Sequence, residues 1–167
     1  MPDTPTSVVH STRLKLLDSK LISSLSAQAR GKPRGRTNYN LHANTTDAVQ
    51  RLLNAIEPGS YIPPHRHLLN EKEETLVAVA GRLGVICFND IGAATWKGVL
   101  EASTSLIGIH IPLSVWHTVV ALEPGTVILE CKGGPYIPLR PEDIAPWAPA
   151  PKHTRAALRA WEALLRS

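Results

Sequence analysis

The sequence predicts an all-β domain, a barrel or sandwich of about eight short strands with one helix at either end. Between Val49 and Lys132 the chain runs as short apolar segments cut by Pro, Gly, Asn and Asp. Helical spacing of apolar residues occurs only near the two ends. No alternation of strand and helix patterns points to βαβ units.

The chain has 167 residues, 43% hydrophobic and 19% charged, which suits one domain with one core. The polar start, Met1 to His10, carries two prolines and reads as disordered through residue 12. It lacks the basic start and apolar stretch of a signal peptide. No apolar run approaches the roughly 18 residues that would span a bilayer. The expectation is a cytoplasmic protein with no membrane association.

From Leu16 to Ala29, apolar residues at Leu16, Leu17, Leu21, Ile22, Leu25 and Ala29 predict a helix of about ten to twelve residues. Asp18 or Ser19 would cap it and Gly31-Lys32-Pro33 would stop it. Gly31 to Arg36 then reads as a basic, turn-rich link. The predicted strands are Val49–Ile56, Tyr61–His67, Glu74–Ala80, Arg82–Phe88, Thr95–Leu100, Ser105–Ile111, Trp116–Leu122 and Val127–Lys132. Glu57-Pro58-Gly59, Gly81, Asn89-Asp90-Ile91-Gly92 and Glu123-Pro124-Gly125 supply the turn chemistry between them. Residues 133–151 are too rich in proline for a central strand or helix and read as an extended arm. The stripe Ala157, Leu158, Trp161, Leu164 and Leu165 predicts a C-terminal amphipathic helix over Thr154–Leu165, packed on this domain or on a second copy. The organisation is thus 1–36, disordered start and helix; 37–132, barrel; 133–167, arm and helix.

The net charge is +4, and it belongs to the ends. Residues 13–36 hold seven Lys/Arg against Asp18, and residues 152–167 hold four against Glu162. These basic stretches are poor in aromatics, unlike a nucleic-acid groove. They read as solvated surface or as a source of attraction for anionic small molecules. The two cysteines, Cys87 and Cys131, lie in apolar runs and read as buried reduced thiols; a thiolate ligand or nucleophile is the other reading.

The chemistry-bearing residues are histidines and acids. His65 and His67 are two apart, so on a strand they point to one face and can grip one ion; on a helix they would diverge. Pro63-Pro64 before them favours extended backbone. Glu71 and Glu73 stand before the next strand, Glu74 opens it, and His117 lies near the start of a later one. Three imidazoles and one carboxylate suit Fe, Mn, Ni, Co or Zn.

In this order the residues resemble the cupin superfamily. Gly59, five residues, His65-x-His67, then Glu74, six residues and Gly81 follow its first motif, with a longer gap between His67 and Glu74 than the motif has. The spacing to Gly81 selects Glu74 from the three acids. Pro112, Ser114 and His117 follow the second motif, with Ser114 in place of Gly, Leu106 where the motif opens on Gly, and Ala121 in place of Asn. Over about residues 16–150 the chain also resembles the WbuC family of cupin-fold metalloproteins. Segments that carry this include Arg36-Thr-Asn38-Tyr-Asn40-Leu-His42, Pro64-His65-Arg66-His67, Lys72-Glu-Glu74-Thr, Glu130-Cys-Lys132, Gly134-Pro-Tyr136 and Ala145-Pro-Trp147-Ala-Pro149. The resemblance implies a bacterial protein, a double-stranded β-helix (the cupin or jelly-roll barrel) and one divalent metal held by His65, His67, Glu74 and His117. It also implies an association with surface-polysaccharide gene clusters.

Around the metal, Tyr61 shares strand parity with His65 and faces either the cavity or the core. Glu130 and Lys132 share parity and either line the site as an acid–base pair or form an outward ion pair. Arg51 is a candidate anchor for a carboxylate or phosphate, or a surface arginine. His42 and His110 lack ligand spacing. The expectation is a metal-dependent isomerase, epimerase or oxygenase acting on a small polar molecule such as a sugar or sugar-nucleotide. The alternatives are a ligand-sensing module with a structural metal, or a metal-free epimerase with histidine bases. A homodimer is expected.

Overall fold

The computed structural model describes residues 14–68 and 72–167, so the predicted disorder of residues 1–12 and the rival ligand Glu71 lie outside the described residues. Helix α1 spans Ser19–Arg30, and Asp18 caps it by accepting from the Leu21 N–H at 2.8 Å. Eight strands follow: β1 Arg36–Asn40, β2 Val49–Ile56, β3 Glu74–Ala80, β4 Arg82–Phe88, β5 Ala94–Glu101, β6 Gly108–Ile111, β7 Trp116–Ala121 and β8 Thr126–Gly133. Helix α2, Thr154–Arg166, ends the chain after the proline-rich arm.

The strands form two antiparallel sheets, one of five strands in the order β1-β2-β8-β3-β6 and one of three in the order β5-β4-β7. This is the double-stranded β-helix, the jelly roll, with a helix on each outer face. Alternation along each strand separates the layers. Leu76, Leu83, Val85, Val119 and Ile128 meet between the sheets. Leu25 and Ala29 of α1 cover Leu53, Ala55 and Val127 on the outside of the larger sheet. Leu158 and Trp161 of α2 cover Ile86, Phe88 and Val120 on the outside of the smaller one.

Two expectations are corrected. The predicted strand Tyr61–His67 is not a regular strand: only His65 makes ladder pairing, bridging His117 on one side and Ile144 on the other. Pro63 and Pro64 have no N–H to donate, so no ladder can build before His65. Conversely, Arg36 opens a strand, β1, that the basic link concealed.

The motif positions have conformational reasons. Gly81 turns β3 into β4 at φ +68°, and a Cβ there would lie 2.6 Å from Thr126 Oγ1. Ser114, standing where the second motif has Gly, itself adopts φ +65°. The conformation the motif demands is therefore kept although the residue has changed. No helix among the described residues is long and apolar enough to cross a membrane.

Candidate metal centre

His65, His67, Glu74 and His117 come together at one end of the barrel interior, each offering a ligand atom, all within 4.8 Å of one another. The backbone imposes this. His65 and His117 exchange N–H···O=C bonds, 2.9 Å each way, so their side chains lie across from each other. Ser114, in its left-handed turn, donates its N–H to the His67 carbonyl at 3.0 Å and pins the second arm of the His-x-His pair. Arg66, between the two histidines, points away, its guanidinium 4.1 Å from the Trp116 ring centroid. Glu74 opens β3, with Lys132 of β8 as its partner in register.

The donor set fits a metal. The Nδ1 atoms of His65 and His117 each face a backbone carbonyl, of Pro63 and Val115, at 2.9 Å. A proton on Nδ1 leaves Nε2 as the ligand atom, the usual orientation of a metal-binding imidazole. His117 Nε2 is buried without a hydrogen-bond partner among the described residues. It lies 3.2 Å from Glu74 Oε2, and His67 Nε2 lies 3.3 Å from the same oxygen. Two ligands each about 2.1 Å from an ion, at tetrahedral or octahedral angles, sit about 3.0–3.4 Å apart.

Electrostatics point the same way. Burial, aided by the neighbouring His117, pushes the His65 imidazole down to about 3, so it is neutral and free to ligate. Burial alone would raise the Glu74 carboxyl, but the His117 and His67 imidazoles and the Lys132 ammonium outweigh it and hold Glu74 well below the usual carboxylate range. Glu73 is half-exposed and reaches His110 at 3.6 Å, so it does not compete as a ligand. Cys87 pairs in register with His117 but is not part of the group, and burial pushes its thiol up, away from the thiolate form.

Glu130 and Lys132 are beside the group. They form an ion pair at 2.5 Å, and Asn54 Nδ2 donates to the other Glu130 oxygen at 3.2 Å. Burial and the nearby Glu74 charge raise the Glu130 carboxyl. Burial would lower the Lys132 ammonium, but Glu130 and Glu74 raise it. A cavity of about 200 Å³ joins these residues to His65, Glu74 and His117 and is also lined by Arg36 and Asn54.

Two predicted site residues are not brought there. Tyr61 stacks on Trp161 with centroids 5.9 Å apart, and its hydroxyl donates to the Pro149 carbonyl at 3.2 Å, under α2. Its parity with His65 does not hold because the intervening prolines break the strand. Arg51 is exposed on the outer face of β2, since Gln50, Leu52 and Asn54 take the inward phase. Sequence reasoning missed Arg36 and Asn54. For Asn54 a signal exists, because polar Asn54 and Gln50 share a parity on β2.

A solved structure of a conserved protein of unknown function from Streptococcus pyogenes, SPY1581, is similar at a TM-score of 0.50 and 12% identity, covering 80% of this chain and 100% of that chain. The recombinant pro-11S globulin of pumpkin is similar at a TM-score of 0.50 and 16% identity, over 63% of this chain and 27% of that chain. A cupin superfamily protein from Desulfitobacterium hafniense is similar at a TM-score of 0.46 and 12% identity, over 59% of this chain and 76% of that one. At these identities the first two likenesses bear on the fold alone. No curated protein sequence matches this chain. A family model described as a domain of unknown function, DUF6016, matches residues 17–100. That stretch runs from just before α1 through β5, contains His65, His67 and Glu74, and is half of the sequence; the chain belongs to the DUF6016 family.

Proposed function

We infer that this protein is a metal-dependent enzyme that moves protons on a small polar metabolite, an isomerase or epimerase of a sugar or sugar-nucleotide. The observation that carries this reading is the Glu130–Lys132 pair, Glu130 buried and Lys132 partly so, beside the four-ligand group and open to the cavity there. A buried ion pair is a poor device for stability, because desolvation offsets its attraction. A raised carboxyl with an adjacent ammonium is a good device for proton transfer near neutral pH. An ion held by His65, His67, Glu74 and His117 would supply Lewis acidity toward a carbonyl or hydroxyl oxygen. Glu130 would take and return the proton at carbon, Lys132 would set its charge, and Asn54 would fix its orientation. The sugar substrate, and a place in surface-polysaccharide assembly, rest on the sequence resemblance to the WbuC family.

Two measurements test this. Metal analysis of untagged protein should give about one ion per chain in wild type and in Glu130→Gln, and at least a tenfold loss in His117→Ala, in line with the cost of losing a ligand shell member. Incorporation of solvent deuterium into a panel of sugar-nucleotides, read by NMR, should occur with wild type and vanish in Glu130→Gln. Metal absent from wild type overturns the metalloenzyme. Metal present without deuterium incorporation in any sugar-nucleotide leaves a ligand-sensing module.

A further inference from the structure

The two sheets are unequal, and the difference leaves a second opening. The three-stranded sheet does not cover the inner face of the five-stranded sheet at its β1–β2 side. A cleft of about 330 Å³ lies there. It adjoins the cavity at the candidate metal centre, since Arg36, Asn54, Glu130 and Lys132 line both.

Three cations converge on this cleft, Lys32 and Arg34 from the link after α1 and Arg36 from the first position of β1. The link folds tightly: the Gly35 N–H donates to the Lys32 carbonyl at 2.9 Å, with Gly35 at φ +62°. None of the three is in an ion pair with a carboxylate among the described residues. Glu130, which also lines the cleft, is taken by Lys132 and Asn54. Arg36 is held in place by two neutral acceptors, Ser60 Oγ at 3.1 Å and the Tyr61 carbonyl at 3.0 Å, both from the same nitrogen. Its remaining N–H groups are left for another partner. Burial, and after it the neighbouring Arg34, lower its pKa, as expected of a partly buried cation without a counter-ion. Asn38, Asn40 and Gln50 add uncharged hydrogen-bonding groups to the lining.

We propose that Lys32, Arg34 and Arg36 form an anion subsite that binds a phosphate or diphosphate group of an elongated substrate whose other end lies at His65, His67, Glu74 and His117. This deepens the enzyme reading above and rests on it for the second half. Planar guanidinium forks beside an ammonium match phosphate oxygens. Length favours an elongated molecule: β1 and β3 are separated by β2 and β8, three strand spacings or about 14 Å. A sugar carrying a diphosphate can span that separation, with Arg36, which lines both the cleft and the cavity at His65, Glu74 and His117, along its course. Three of the seven basic residues counted over 13–36 thereby acquire a location and a task.

The test is calorimetric titration of inorganic pyrophosphate into the full chain at fixed ionic strength. Its variants are a Lys32→Gln/Arg34→Gln double substitution and, as a control, Arg51→Gln on the opposite face. Lys32, Arg34 and Arg51 are all exposed, so the variants should fold. Expected are binding to wild type, at least a tenfold weaker constant in the double variant, no change in Arg51→Gln, and equal metal content in all three. Absence of binding to wild type overturns the subsite, as does equal weakening by Arg51→Gln. Binding that survives the double substitution but is lost with EDTA places the anion on the metal and also overturns it. If every form lacks metal while the pyrophosphate pattern holds, the subsite stands and the metalloenzyme reading falls.

Discussion

The barrel interior has two halves built by the same strands, and they differ in everything but backbone. β3 begins with Glu74 and continues inward with Leu76 and Ala78; β7 points His117, its second residue, inward and continues with Val119 and Ala121. β8 runs the other way, Ile128 first and then Glu130 and Lys132. β2 carries Gln50 and Asn54 before Ile56. Each strand crosses from polar to apolar at about the same level, so one half of the interior is a dry core and the other a cluster of ionisable groups. The pleat gives both halves the same parity. Stability and chemistry are therefore assigned to different ends of shared strands, and substitutions should separate them.

The largest effect belongs to the dry half. Leu83 is fully buried among Leu76, Val85 and Ile128. Leu83→Ala should cost about 2–5 kcal/mol in urea denaturation, the transfer energy of the lost carbons plus the cavity. Metal bound per folded molecule should not change. A parallel fall in metal stoichiometry would show that the two halves are one cooperative unit and would break the distinction.

Acid should act on the other half alone. In EDTA-treated protein, His65 titrates near 3 when folded and near 6.5 when unfolded. Between these values the unfolded chain binds the extra proton, so stability is full above pH 6.5 and is lost as the pH falls toward 3. The loss from this group is at most about 1.4 kcal/mol per pH unit. Glu74, depressed in the folded state, adds a further loss at the acid end, below its ordinary 4.5. Glu130, raised, works in the opposite sense and softens the slope. Urea midpoints across this range should flatten in His65→Gln. In Leu83→Ala they should shift as a whole with the slope kept. An unchanged slope in His65→Gln would mean the acid response lies elsewhere.

The polar half was the more legible in its ligands and the less legible in its surroundings. His65, His67 and His117 could be read because a two-residue spacing, prolines and a glycine at fixed distance constrain the backbone. β1 could not, because Arg36-Thr-Asn38-Tyr-Asn40 faces a wet cleft on one side and only Thr37 is buried. An edge strand facing water has no apolar alternation to betray it. The face of Arg51, anion anchor or surface arginine, stays open in the sequence for a related reason. Val49–Ile56 is apolar on both faces, Leu52 and Ile56 inside and Leu53 and Ala55 under α1, so its phase cannot be read without the helix that covers it. The helices and turns were legible because their signals are local: Asp18 caps α1, and Pro-Gly and Asn-Asp turns fall between strands.

The smallest effect compares the charges at the two rims. At the apolar end Arg82 lies 3.1 Å from Glu101 and 3.6 Å from Glu123, about two-fifths exposed. Exposed pairs of this kind contribute less than about 1 kcal/mol, and about 1 M salt, with a Debye length near 3 Å, screens most of it. Arg82→Ala should thus lower the urea midpoint slightly in dilute buffer and hardly at all in concentrated salt. At the polar end Lys32, Arg34 and Arg36 have no carboxylate to lose, and salt should relieve their mutual repulsion. Lys32→Gln/Arg34→Gln should then leave the ligand-free fold as stable as before or slightly more so, with the gain fading in salt. A destabilised double variant would mean that these cations already serve the fold, and the two rims would no longer differ in kind.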